Sequence, residues 1–472
     1  MNAMPSAFNP YPAYHPSGIP WLGAVPEHWE VRKLRSILAE TTERDRPNWP
    51  LLSVVRERGV ILRDVTNKDE NHNYVPDDLT NYKVVHKGQF AMNKMKAWQG
   101  SYGVSMYDGI VSPAYYVFDI GEVTGDYFHL AIRSKAYVPF FGQASDGVRI
   151  GQWDLSKARM QEIPFPLPPP GEQRAIVRYL DHVDRRVRRY VAAKRKLIGL
   201  LEEEKQAMVN RAVTRGLDPN VRLKPSGVEW LGDVPEHWDT MRARFLFKEI
   251  DTRSTSGRET HPSMSQTLGL VSSHLVEQSL ISDSYVGGKL CRIGDLVLNR
   301  LKAHLGVFAL AKQAGVISPD YSVFRKRDSA NMEYFFMVFR VPALRTELRI
   351  RAKGIVEGFW RLYTDDFFDI RLPIPPSIEQ QAIVEYLDRA TTDVDAAIAR
   401  TRRQIELVEE YRSRLIADVV TGKLDVREAA AHLPVDGDEA GQIEKSGPMA
   451  DGLHDEIYDA EEEPAIAEEV RL

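Results

Sequence analysis

"PSGIPWLGAVPEHW" occupies residues 16–29, and "PSGVEWLGDVPEHW" occupies 225–238, with 11 of 14 residues the same. The match is not isolated. "PPPGEQRAIVRYLD" (168–181) returns as "PPSIEQQAIVEYLD" (375–388), "GQFAMNKMKAWQG" (88–100) as "GDLVLNRLKAHLG" (294–306), and "SPAYYVF" (112–118) as "SPDYSVF" (318–324). Four matches in one order at nearly one offset, 206 to 209 residues, mark a tandem duplication. The period is far longer than the 20–50 residues of a solenoid repeat, so each unit is a domain plus a connector.

Within each unit the first part is rich in short apolar runs such as "YYVFDI" and "DLVLNR", separated by Gly, Pro, Asn and Asp. That pattern predicts mixed, mostly β structure. The second part reads as one long helix. In the second copy Ile383, Leu387, Ala390, Val394, Ala397, Thr401, Ile405, Val408 and Leu415 fall three or four residues apart or at multiples of that spacing. Ile176, Leu180, Val183, Val187, Val191, Ile198, Leu201, Met208 and Ala212 do the same in the first. Proline runs at 164–170 and 373–376 set up each helix start. Two helices with matching stripes bury them against each other in a coiled-coil-like pair. Because helix one ends near the second domain, helix two must run back along it, which makes the pair antiparallel. The expected fold is α+β: two similar domains joined by a pair of long antiparallel coiled-coil-like helices, a pseudo-two-fold tandem repeat. The expected divisions are 1–164, first domain; 165–220, first long helix; 221–371, second domain; 372–428, second long helix; and 429–472, an acidic tail.

Composition narrows the function classes. The net charge of −5 divides unevenly: residues 431–472 carry 13 Asp/Glu and 2 Lys/Arg, leaving the rest of the chain at +6. Such an acidic, aromatic-poor tail is expected to be solvated and disordered, and the mildly basic body fits a polyanion partner. No apolar stretch is long enough to span a membrane, and "MNAMPSAFNPYPAYHPSG" lacks the regions of a secretion signal, so a cytoplasmic location is expected. The single cysteine, Cys291, excludes an internal disulfide and a cysteine-rich metal site. There is no G-x-x-x-x-G-K-S/T loop and no G-x-G-x-x-G loop. "NPYP" (9–12) lacks the second proline of an amino-methyltransferase motif. The 12 histidines are not clustered as metal ligands. No catalytic residue, metal or cofactor is expected.

Two related heads on a spacer suit a polymer with two-fold symmetry, above all duplex DNA; a scaffold displaying two protein-binding heads remains the alternative. The duplicated W-L-G-x-V-P-E-H-W words, each followed by a divergent domain and then by P-P-x-x-E-Q-x-A-I-V-x-Y-L-D opening a long helix, resemble the specificity subunits of type I restriction–modification systems. The likeness covers about residues 10–428. It implies two target-recognition domains, each reading one part of a bipartite, asymmetric DNA target. It also implies helices that measure the spacer and dock two adenine-N6 methyltransferase subunits, and a separate motor-nuclease subunit. The chain itself would then be non-catalytic.

Sequence reading should sit where the halves differ. In "NKMKAWQG" and "NRLKAHLG", Lys94 and Lys96 stand opposite Arg300 and Lys302, as phosphate contacts or as ordinary exposed strand ends. Asn93 and Asn299 could bond an adenine edge. "SDGVRIGQWDLSK" (145–157) and "AKGIVEGFWRLYT" (352–364) share glycines but diverge between them. Arg149, Gln152, Arg361 and Tyr363 are the candidate base contacts there, against the alternative of a plain surface loop. The duplicated tryptophans are read as packing each domain against the helices, His28 and His237 as structural, and Glu172-Gln173 and Glu379-Gln380 as helix openings. The basic runs "RRVRRY" and "KRK" on helix one are a solvated face or a docking surface.

Overall fold

The computed structural model describes residues 10–56, 58–63, 76, 78–149, 152–265, 269–272, 285–301, 306–327, 330–356 and 359–434. The chain divides into two compact units. Of the described residues, one contains those up to Lys194 together with those from Arg403 to Pro434, and the other those within Arg195–Arg402.

Each unit is built on a four-stranded antiparallel sheet. In the first its order is Leu38–Thr41, Tyr115–Ile120, Phe90–Asn93, Tyr102–Val104. The second repeats that order with Phe247–Ile250, Tyr321–Lys326, Leu296–Asn299 and Phe308–Leu310. The inner strands Phe90–Asn93 and Leu296–Asn299 are apolar at successive positions because both faces are covered, which removes the alternation seen in half-exposed sheets. Phe90, Met92 and Phe118 enter the core beneath the helices Gly125–Ile132 and Val138–Gln143. Ala91 and Val117 face the opposite way, toward Leu52, Val54, Val85 and Val111. The second unit partitions Leu296, Leu298 and Phe324 from Val297 and Val323 in the same manner. Glu30–Lys33 pairs antiparallel with Pro164–Leu167, and Asp239–Arg242 with Arg371–Ile374, so in each domain a strand near the start pairs with the last one.

The long helices run from Pro170 to Arg215 and from Ser377 to Val420. The first, at 46 residues, measures about 69 Å at about 1.5 Å per residue. Every stripe position named from the sequence is buried or half-buried. The pairing is antiparallel. In the second unit Glu202 bonds Arg402 at 3.0 Å and Lys205 bonds Asp395 at 2.6 Å, so numbers rise along one helix as they fall along the other. In the first unit Asp184 meets Arg412 at 2.5 Å. Asp184 also holds Arg188 of the "RRVRRY" run at 2.7 Å, so one of those arginines pairs within its own helix.

The two most strongly repeated words bind each other. In the first unit Glu172 accepts the Trp29 indole N–H at 3.0 Å and the Tyr11 hydroxyl at 2.6 Å, and pairs with His28 at 2.7 Å. In the second, Glu379 accepts from Trp238 at 2.8 Å and pairs with His237 at 2.6 Å. The following glutamine completes the joint. The Gln173 amide donates to Pro168 O and its oxygen accepts from Thr124 N at 2.9 Å; Gln380 bonds Pro375 O and Asn331 N in the same way. The "PEHW" tryptophans and histidines thus anchor domain to helix, and the Glu-Gln pairs do more than open a helix.

Each unit also takes up the far end of the other repeat's helix. Leu415, Val419 and Val420 lie in the core of the first unit, and Ala212 and Val213 in that of the second. The Tyr127 hydroxyl donates to Pro166 O at 3.2 Å and lies 3.4 Å from Val420 O, while that of Tyr334 donates to Val213 O at 2.9 Å. Both helices end in a left-handed glycine, at φ 76° for Gly216 and 78° for Gly422. Gly422 abuts Pro26 and Trp29 closely, and Gly216 abuts Trp238. Residues 429–434, assigned by composition to the acidic tail, continue the first unit: Val426 and Ala430 flank or lie within the short helix Arg427–Ala431 and are buried in its core. The remainder of the expected tail, 435–472, lies outside the described residues. Among the described residues no helix is long and apolar enough to cross a membrane, and no group of His, Cys, Asp and Glu could hold a metal ion.

Candidate nucleic-acid interface

The two motifs singled out as DNA-contacting meet in both units. After the strand Phe90–Asn93 the chain turns because the Asn93 side-chain oxygen accepts Met95 N at 3.1 Å. Asn299 accepts Leu301 N at 3.1 Å in the matching turn. These asparagines shape the loop, a local side-chain-to-backbone bond of the kind that favours turns, and that use answers for their presence in both copies. Against each loop lies a hairpin: Ser145–Arg149 with Gln152–Leu155 in the first unit, and Lys353–Val356 with Phe359–Arg361 in the second. Both hairpins carry a register irregularity near the tip. One backbone bond fastens each to its loop, Leu155 N to Lys94 O at 3.0 Å and Leu362 N to Arg300 O at 3.2 Å. In the first unit Trp98 of the loop also packs on Trp153 of the hairpin, with ring centroids 5.2 Å apart.

Side chains clasp the same junction with different chemistry. Lys94 Nζ bonds Asp154 Oδ2 at 3.1 Å. In the second unit Arg361 reaches Asp320 Oδ1 at 2.8 Å. Arg300 turns inward, donating its Nε–H to the Asp320 carbonyl at 2.7 Å. Lys96 is exposed. Tyr363 is exposed, with the Lys353 ammonium 5.9 Å from its ring centre. Arg149 and Gln152 face each other in the hairpin register; their side chains, and Lys302, lie outside what the structure describes. Electrostatics follow burial: the Tyr115 phenol beside the first loop is pushed up by desolvation, and Tyr321 by desolvation and then by the Asp320 carboxylate.

A family described as "Type I restriction modification DNA specificity domain" matches residues 26–194. The MjaX type I restriction enzyme specificity subunit of Methanocaldococcus jannaschii is 20% identical over 429 residues, covering 86% of this chain and 96% of that one. Along most of its length the chain is similar to type I restriction enzyme specificity subunits. The MjaVIII specificity subunit of the same organism is 22% identical over 353 residues, covering 70% of this chain and 78% of its own. A solved chain described under the complex assembly and conformational transition of a type I R-M system shares the fold. It has a TM-score of 0.60 at 17% identity and covers 85% of this chain and 99% of its own length.

Sequence reasoning missed Asp320 as a site residue and missed the pairing role of Asp154. The signal was present. "SPAYYVF" and "SPDYSVF" differ at Ala114 and Asp320, a charged residue appearing in one copy of an otherwise shared turn.

Proposed function

We propose that this chain is the DNA-reading, non-catalytic member of a type I complex. Its two α+β domains bind the unlike halves of a bipartite, asymmetric duplex target. Its long helices set the spacer and dock adenine-N6 methyltransferase subunits, two per chain, with a motor-nuclease subunit completing restriction. The observation that carries this reading is the loop–hairpin junction, fastened by the same backbone bond in both units but furnished with different polar side chains. A shared frame with divergent chemistry is what two domains reading different sequences need. Lys96, with Lys302 as its counterpart, serves as a phosphate contact that sets register and gives salt-dependent affinity. Arg149, Gln152, Arg361 and Tyr363 serve at the base edges. Lys94 and Arg300 act by holding the junction. Exposed apolar side chains on the helices, Tyr190, Leu407 and Tyr411 in the first unit and Leu197 and Leu200 in the second, support the docking reading.

The test is to reconstitute the chain with its modification subunits, supply S-adenosylmethionine and a randomised duplex library, and map the methylated adenines. A motif of two unlike blocks with an unread spacer is expected. Methylation without sequence preference, or at one contiguous block, refutes the reading.

A further inference from the structure

Three positions meet at each junction, and the charges are permuted between units. The loop position is basic in both, Lys94 and Arg300. The turn position is Ala114 in the first unit and Asp320 in the second. The hairpin position is Asp154 in the first and Arg361 in the second. The electrostatic partner of the hairpin residue changes with it: Lys94 holds Asp154, and Asp320 holds Arg361. The first trio sums to zero charge and the second to +1.

We infer that the hairpin position is a specificity determinant of opposite sign in the two domains: Asp154 reads an exocyclic base amine in one half-site, and Arg361 reads guanine in the other. This rests on the DNA-reading function proposed above. A carboxylate is acceptor-only and a guanidinium donor-only. In the major groove cytosine N4 and adenine N6 offer donors, while guanine O6 and N7 offer two acceptors that an arginine fork matches. The clasp leaves both groups able to do this. Asp154 uses Oδ2 on Lys94 and is 58% exposed, keeping Oδ1 for a base. Arg361 uses one terminal nitrogen on Asp320 and is 31% exposed, with donors remaining.

Lys94 and Asp320 are positioning residues. An unpaired carboxylate beside a phosphate backbone is repelled, and the Lys94 ammonium offsets that charge. A free arginine has many rotamers, and Asp320 selects one. Arg300 holds the Asp320 carbonyl and so steadies the turn that presents the carboxylate.

The experiment uses the full chain reconstituted with its modification subunits, methylating a randomised duplex library. Arg361→Lys and Arg361→Gln are expected to lose discrimination at one guanine of one block, roughly five- to 150-fold, while the other block stays intact. Asp154→Ala, which removes the acceptor, is expected to do the converse at a single cytosine or adenine. Asp320→Ala should blur the same base pair as Arg361→Lys, and Asp320→Glu should restore it, an effect a merely structural role would not produce. Variants with wild-type base preference at every position overturn the inference while the wild-type bipartite motif keeps the underlying reading. So does a uniform loss of methylation across all sequences with unchanged thermal unfolding, which marks a general DNA contact. Should Arg361→Gln fail to fold, Arg361→Lys keeps the clasp charge and decides the matter alone. A wild-type complex without sequence preference defeats the reading beneath both.

Discussion

Glu172→Ala is expected to destabilise the first unit well beyond what Glu379→Ala costs the second, although the two glutamates occupy the same word of the repeat. The Glu172 side chain is 5% exposed and serves Trp29, Tyr11 and His28; that of Glu379 is 39% exposed and serves Trp238 and His237. The position matching Tyr11 is Asn220. Burial and the Glu172 carboxylate hold the Tyr11 phenol well above its usual range, so it remains a donor at any working pH. Removing Glu172 strands two donors on buried residues, the Trp29 N–H and the Tyr11 O–H. At about 1–3 kcal/mol for each unsatisfied donor, the loss is about 3–5 kcal/mol. Removing Glu379 strands only the Trp238 N–H at a site water can reach, about 1–2 kcal/mol. For units of this size each kcal/mol moves Tm by about 2–4 °C, so shifts of about 6–20 °C and about 2–8 °C follow. Calorimetry on the full chain, with hydrogen exchange assigning each loss to its unit, measures both. Equal losses, or a larger one for Glu379→Ala, would refute the argument that burial and the third partner set the strength of this joint.

Two further outcomes follow from local geometry. Gly422→Ala should cost more than about 2 kcal/mol and Gly216→Ala about 1, read by urea unfolding. Both sit at positive φ, but the new methyl at 422 would fall within 3 Å of Pro26 while that at 216 reaches Trp238 at 3.3 Å. His129, whose Nδ1 accepts Val104 N, is pushed down to about 4, first by burial and then by the Arg133 guanidinium. Both states are neutral above pH 6.5. As the pH falls from there to 4 only the unfolded chain takes the proton, so stability is lost across that window, by at most about 3 kcal/mol, and levels off below it. His129→Asn should flatten this slope in unfolding curves recorded at pH 7 and 4.5.

The long helices and their opposed direction were legible because stripes such as Ile383–Leu387–Ala390 and Ile176–Leu180–Val183 record burial at helical spacing, and because connectivity leaves one way to join them. The sheets were legible only as a class. Strands such as Phe90–Asn93 open with three successive buried apolar residues, and a run buried on both faces carries no period to read. The union of "PEHW" with "EQ" was hidden for another reason: Trp29 and Glu172 are 143 residues apart, and no local pattern encodes such a contact. The site was half legible. Shared glycines located the hairpins and the "NKMK" and "NRLK" words located the loops, but that the two touch, and that Asp320 closes one of them, depends on tertiary placement. An amide suits an adenine edge and a turn alike, and the presence of Asn93 and Asn299 in both copies argued for a shared role over base choice.

The interleaving of helix ends sets an order in time. The core of the first unit contains Leu415, Val419, Val420, Val426 and Ala430, whereas the described residues of the second unit all fall within Arg195–Arg402. On a ribosome the second can close as soon as its own residues emerge. The first must wait, its aromatic interior unfinished, for roughly 12–47 s at about 5–20 residues per second between Lys194 and Ala430. The usual N-terminal-first sequence of domain folding is inverted, and the nascent first domain is the part of this chain that most needs a chaperone.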